Sequence, residues 1–65
     1  MNKDLTYGLT RLEDLRKDLR KDRDSLALAG PIDQEYYKAR IKATIERIVN
    51  LCDRYGIVKQ DWHYV

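Results

Sequence analysis

Cys52 and His63 are the residues of this sequence whose chemistry best suits a nucleophile, a base or a metal ligand. They lie eleven residues apart, and the sequence has no further cysteine or histidine to complete a tetrahedral metal site. Cys52 also falls on an apolar stripe, where cysteine usually packs as a small hydrophobic side chain. The sequence therefore predicts no metal site, no cofactor and no catalytic residue, and we expect a protein that is not an enzyme.

Three carboxylates recur at four-residue spacing, which places them on one face of a helix: Asp14, Asp18 and Asp22. Such a row can bind a cation or raise the pKa of its members. Basic residues stand three or four positions from these carboxylates, among them Lys17 and Lys21. We interpret the row as a neutralised solvent face.

Five arginines form two rows with seven-residue spacing: Arg40, Arg47 and Arg54 in one, Arg16 and Arg23 in the other. On a helix this spacing places guanidinium groups about 10 Å apart along one flank, where they can follow the phosphates of a nucleic acid. The alternative is ion pairing across a helix interface, for example of Arg47 with Asp18. A net charge of only +2 favours pairing.

Most aromatic residues lie in the second half of the chain: Tyr36, Tyr37, Tyr55, Trp62 and Tyr64. A core of two helices cannot easily bury Trp62 and Tyr64, which lie near the end of the sequence. Exposed Trp and Tyr are over-represented among interface anchors. We therefore take Trp62 and Tyr64, together with Tyr36, as candidate protein-binding residues, with core packing as the alternative.

Four leucines at seven-residue spacing predict the first helix that must position these side chains: Leu5, Leu12, Leu19 and Leu26. This coiled-coil period needs a partner helix. We expect helix 1 over about 3–28, ended by Gly30 as a C-cap and Pro31 after it.

The second helix is predicted over about 34–55, after a turn at 29–33. Asp33 is the expected N-cap, and Ile32 is expected to pack on Tyr37 as a hydrophobic staple. Apolar residues spaced three and four apart follow, and Gly56 is a stop signal. Helices joined by so short a turn must lie antiparallel.

Folding the hairpin at Pro31 pairs residues whose numbers sum to about 63, which places Gly8 opposite Tyr55. The same register places Asp22 on the seam, where its carboxylate must reach either solvent or an arginine such as Arg23. The apolar tail, 56–65, is expected to fold back near Leu5 and Leu9 or to dock on a second subunit.

A chain of 65 residues allows a single domain, 1–65, which buries too little surface to be very stable alone. Helix 2 carries more apolar residues than one facing helix can cover. We therefore predict an all-α fold, an antiparallel helical hairpin that forms a homodimer as a four-helix bundle. No apolar run is long enough to span a membrane or form a signal peptide, so we expect a cytoplasmic protein.

In length and layout the chain resembles the small plasmid-encoded helical hairpins that dimerise and bind paired RNA loops, and Leu51-Cys52-Asp53-Arg54-Tyr55-Gly56 is similar to a segment near their end. It also looks like the short hairpin phosphatases that act on sporulation response regulators. The Ser-Gln-Glu-Leu-Asp motif that carries their activity is absent from helix 2. The resemblance concerns architecture, and no residues are carried over from either family.

These observations predict a small protein-binding module, a bacterial or phage-type regulator or inhibitor that occupies a larger partner protein. Nucleic-acid binding by a dimer, through the two arginine rows, is the alternative.

Overall fold

The computed structural model describes residues 3–64 and is all-helical. Helix α1 spans Lys3–Leu28, helix α2 spans Pro31–Tyr55, and a short 3-10 helix spans Asp61–Tyr64. The two long helices pack against each other along their length, and the 3-10 helix contacts both of them. The predicted all-α helical hairpin is confirmed. Residue Val65 of the predicted tail lies outside the described residues.

The connection between the helices is shorter than predicted. Helix α2 begins at Pro31, and its N-cap is Gly30 in an extended conformation (φ −74°, ψ 173°). Proline fits the first position of a helix because its fixed φ is helical and its missing N–H would be unpaired there. Asp33 is therefore a first-turn residue and not the N-cap. Ile32 is 88% exposed, so the predicted staple with Tyr37 is wrong.

The core lies along the seam between the helices. Its buried apolar residues come from both: Leu12, Leu15 and Leu19 from α1, and Ile41, Ile48 and Cys52 from α2. Thr44 is buried among them. These positions follow the three-and-four spacing of the sequence, because only one face of each helix meets the other.

Gly8 and Tyr55 confirm the predicted register. A Cβ atom placed on Gly8 would lie only 2.7 Å from Cγ of Tyr55. The ring of Tyr55 thus occupies the space that any other residue at position 8 would need. The helices can approach at this end because position 8 has no side chain.

Asp22 lies on the seam as predicted, but its partner is a different arginine. The carboxylate is buried, and Nε of Arg40 on α2 donates to both oxygens, at 3.2 and 3.3 Å. Arg23 was the expected partner, and it instead faces the tail. Neighbouring residues on a helix point about 100° apart, so Arg23 cannot share the direction of Asp22.

Helix α2 ends at Gly56, which adopts the left-handed conformation (φ 67°, ψ 27°). Its N–H and that of Ile57 both donate to the carbonyl of Cys52. This cap reverses the chain, so that residues 57–64 return along the hairpin. Within the described residues, neither helix is both long and apolar enough to cross a membrane.

Candidate functional site

The tail, residues 56–64, packs on the middle of the hairpin. Its 3-10 helix buries His63, which is 2% exposed, and leaves Trp62 52% exposed. Ile57 and Tyr64 pack against the hydrophobic core. The tail therefore has an inner side that completes the core and an outer side that carries the indole of Trp62.

Two arginines of α1 hold the tail in place. The guanidinium carbon of Arg16 lies 4.7 Å from the centroid of the Trp62 ring, a cation–π contact. Nη2 of Arg23 donates to the backbone oxygen of Tyr64 at 2.6 Å. A further ion pair, Lys59 with Asp53, ties the tail to α2. The row of Arg16 and Arg23, the alternative candidate for nucleic-acid binding, thus contacts the tail.

The tail lies further along α1 than predicted. We expected it near Leu5 and Leu9, but these residues remain 39% and 47% exposed. The contacts of Trp62 and Tyr64 are instead with Arg16 and Arg23. The expected position was wrong because the chain reversal at Gly56 directs the tail away from the open end of the hairpin.

Cys52 and His63, distant in the sequence, meet beneath the tail. Sγ of Cys52 lies 3.9 Å from Nδ1 of His63, and the N–H of Gln60 donates to the same nitrogen at 3.2 Å. Nδ1 is therefore an acceptor, which places the proton of a neutral ring on Nε2. This contact was not predicted from the sequence. The apolar residues around both Cys52 and His63 were the only feature of the sequence that could have indicated it.

The environment of this pair keeps both residues neutral. Burial raises the pKa of the Cys52 thiol. Burial first, and then the charge of Arg16, lowers the pKa of His63. A reactive cysteine needs the opposite shifts, since the thiolate is the nucleophile. The pair is suited to packing the tail onto α2 rather than to nucleophilic chemistry.

Tyr36 lies on a different side of the hairpin from Trp62. Its ring centroid is 5.7 Å from the guanidinium carbon of Arg40, and its hydroxyl accepts from Nη1 of that arginine at 3.4 Å. Tyr36 and Cys52 are sixteen residues apart, or about 160° around α2. Because Cys52 faces the tail, Tyr36 points away from it. The three predicted protein-binding residues do not form one surface.

A groove of about 240 Å³ runs between the helices on the flank away from the tail. We call it the arginine groove, and its lining residues are Arg11, Leu15, Arg47, Asn50, Leu51 and Arg54. Arg11 and Arg16 are five residues apart, about 140° around α1, so the groove and the tail occupy opposite flanks. Arg11 was not among the predicted site residues. Its signal was its position opposite Arg54 in the helix register.

The arginines of this groove make no ion pair within the described side chains, residues 5–64. The ion pairs there are Arg16 with Glu13, Lys38 with Glu35, Arg40 with Asp22, and Lys59 with Asp53. The predicted pairing of Arg47 with Asp18 is not among them and is wrong. Of the predicted row, Arg40 is engaged, whereas Arg47 and Arg54 are free to bind an anion.

The carboxylate row does not act as one unit. Asp22 is buried and bound by Arg40, whereas Asp14 and Asp18 are exposed. Among the described residues, no group of three or more His, Cys, Asp or Glu side chains is arranged to hold a metal ion.

No protein-family model matches this chain, and no curated protein or solved structure shows significant similarity to it.

Proposed function

We propose that this chain is a small non-enzymatic protein-binding module that presents Trp62 to a larger partner protein. The observation that best supports this proposal is the half-exposed indole beside a buried neighbour, His63. A side chain that is held in position before binding loses little conformational entropy when it binds. Exposed tryptophans of this kind are enriched among the residues that dominate interface energies.

The surroundings of Trp62 suit a contact surface. The Trp62 ring lies 4.1 Å from the ring of His63, centroid to centroid, and the guanidinium of Arg16 covers part of it. Val58, 72% exposed, adds apolar surface on the same segment. The guanidinium of Arg16 is already in contact with the indole ring. A partner that covers the apolar surface of Trp62 and Val58 therefore has little polar surface to desolvate.

Within this proposal the chain acts by occupying its partner, as a bacterial or phage-type regulator or inhibitor does. The neutral Cys52 and His63 pair supports a binding role over a catalytic one. Tyr36, on another side, takes part only if the partner extends around the hairpin.

The homodimer, a four-helix bundle of two hairpins, is also a proposal. The prediction assumed that α1 leaves much of the apolar surface of α2 uncovered. The tail covers part of this apolar surface, since Cys52 beneath the tail is buried. Ile45 and Val49, half-buried on α2, are what a second hairpin would cover. Analytical ultracentrifugation at micromolar concentration tests the dimer, and a helical monomer of 7.8 kDa would exclude it.

A pull-down from host lysate, run with and without nuclease treatment, tests the protein-binding proposal. We compare the parent with Trp62→Ala, Tyr36→Ala and, as a matched control, Ile32→Ala, which removes an exposed apolar side chain far from the tail. We expect Trp62→Ala to weaken capture by about 2 kcal/mol, or roughly thirtyfold in affinity, and the control to have no effect. Circular dichroism checks that each variant remains helical.

Two outcomes would contradict the proposal. One is a partner that Trp62→Ala retains as well as the parent does. The other is captured material that disappears with nuclease. Loss of the partner with Tyr36→Ala as well would show that the partner reaches both sides of the hairpin.

A further inference from the structure

The arginine groove carries an inference separate from the surface at Trp62. We propose that this groove binds single-stranded nucleic acid, with phosphates on its three arginines and a base on its floor.

The three arginines of the groove are not neutralised by the described side chains. None of Arg11, Arg47 and Arg54 has an acidic partner within residues 5–64. The guanidinium carbon of Arg54 lies 5.8 Å from the ring centroid of Tyr55, a cation–π contact. Guanidinium edges bind phosphate oxygens bidentately, so these groups suit a phosphodiester.

The spacing of the arginines on α2 suits a nucleic-acid strand. Arg47 and Arg54 are seven residues apart on α2, or about 10.5 Å along the helix axis. Successive phosphates of a stacked strand advance about 3.4 Å, so three steps of the strand cover that distance. Arg11 faces Arg54 from α1, so the groove presents guanidinium groups along both walls.

The floor of the groove favours nucleic acid over an acidic peptide. The floor of the groove consists of two leucines, Leu15 and Leu51, and Asn50 adds an amide beside it. A base has a flat face that can cover such a floor and polar edges that an amide can contact. The short acidic side chains of a peptide would satisfy the arginines but would not cover the exposed part of Leu51.

The charges around the groove limit its reach. Asp22 already neutralises Arg40, which continues the row beyond Arg47. Asp18, exposed on α1, lies on the same flank as Arg11, because the two are seven residues apart. The groove therefore offers about three phosphate contacts, and Asp18 opposes them.

Fluorescence anisotropy with a labelled single-stranded oligonucleotide of about twelve nucleotides tests this proposal. For three contacts at about 0.7 each, log K should fall against log salt with a slope of about −2. Raising the salt from about 50 to 200 mM should then weaken binding roughly twentyfold. The groove variant, Arg11→Gln with Arg47→Gln and Arg54→Gln, should lose most of the affinity and nearly all of the slope.

A matched variant separates the groove from general charge. Lys17→Gln, Arg20→Gln and Lys42→Gln remove the same charge from exposed positions outside the groove, and should weaken binding only slightly. Asp18→Asn should strengthen binding several-fold, because it removes a charge that repels phosphate. The Trp62→Ala protein should bind the oligonucleotide as the parent does, so this proposal and the protein-binding proposal can fail separately.

Four results would overturn the inference: no oligonucleotide binding by the parent, equal losses in the two triple variants, equal affinity for a duplex of the same sequence, or binding of a glutamate-rich peptide in place of the oligonucleotide. Circular dichroism of each variant establishes that a loss of binding is not a loss of fold.

Discussion

Replacing Gly8 by alanine tests the closest approach of the two helices. The new Cβ would lie 2.7 Å from Cγ of Tyr55 and 3.0 Å from its Cβ and Cδ2. Carbon atoms in ordinary contact are about 3.5–4.0 Å apart, so Tyr55 or a whole helix must move. Such overpacking costs about 1–3 kcal/mol.

A helix propensity effect opposes this cost. Alanine inside a helix is about 1 kcal/mol more favourable than glycine. The clash should prevail, because the contacted atoms are at the base of the Tyr55 side chain and cannot rotate away. We therefore expect Gly8→Ala to lower the free energy of unfolding by about 1 kcal/mol, on balance of these two effects.

The sign of the effect should reverse when Tyr55 is removed. In a Tyr55→Ala background the added methyl group meets open space, so Gly8→Ala should stabilise by about 1 kcal/mol. The coupling between the two positions is then about 2 kcal/mol. Urea denaturation of the four proteins, followed by circular dichroism, measures it. If Gly8→Ala stabilises the parent protein as well, the helices do not approach at this end as described.

Two further predictions concern buried polar groups. Arg40→Ala should destabilise the fold because it leaves the carboxylate of Asp22 buried without its donor, whereas Asp22→Leu should cost nothing or stabilise; a larger loss of stability for Asp22→Leu than for Arg40→Ala in urea denaturation would refute this. Burial, and secondarily Arg16, holds the pKa of His63 below its ordinary 6.5. The unfolded chain therefore takes up a proton that the folded chain does not. The free energy of unfolding should fall as the pH drops below about 6.5, by at most about 1.4 kcal/mol per pH unit. The fall should level off below the pKa that His63 has in the folded protein. His63→Gln should remove this pH dependence of the free energy of unfolding. If the unfolding midpoints of the parent and of His63→Gln change with pH in the same way, His63 is not the group responsible.

Features that depend on periodicity could be predicted from the sequence. The leucine spacing predicted α1, and the antiparallel register of the hairpin predicted the contact of Gly8 with Tyr55. Both predictions were possible because the contacts between two packed helices repeat at regular intervals along the sequence. The first residue of α2 was harder to predict, because a proline such as Pro31 can follow the end of one helix or begin the next.

Features that depend on side-chain direction could not be predicted in the same way. The register placed Asp22 on the seam, but only the orientation of the helices decides that Arg40 reaches it and Arg23 does not. The tail has no periodicity, so its path depends on the reversal at Gly56 and on the pocket for His63. The arginine groove needed both helices in place before Arg11 could be grouped with Arg54.

The position of Trp62 has a practical consequence. It is the only tryptophan of the chain, and it lies on the tail rather than on either long helix. Its fluorescence therefore reports attachment of the tail, while far-ultraviolet dichroism reports the helices. Heating the protein under both signals distinguishes a tail that detaches early from one that melts together with the hairpin, without any added label.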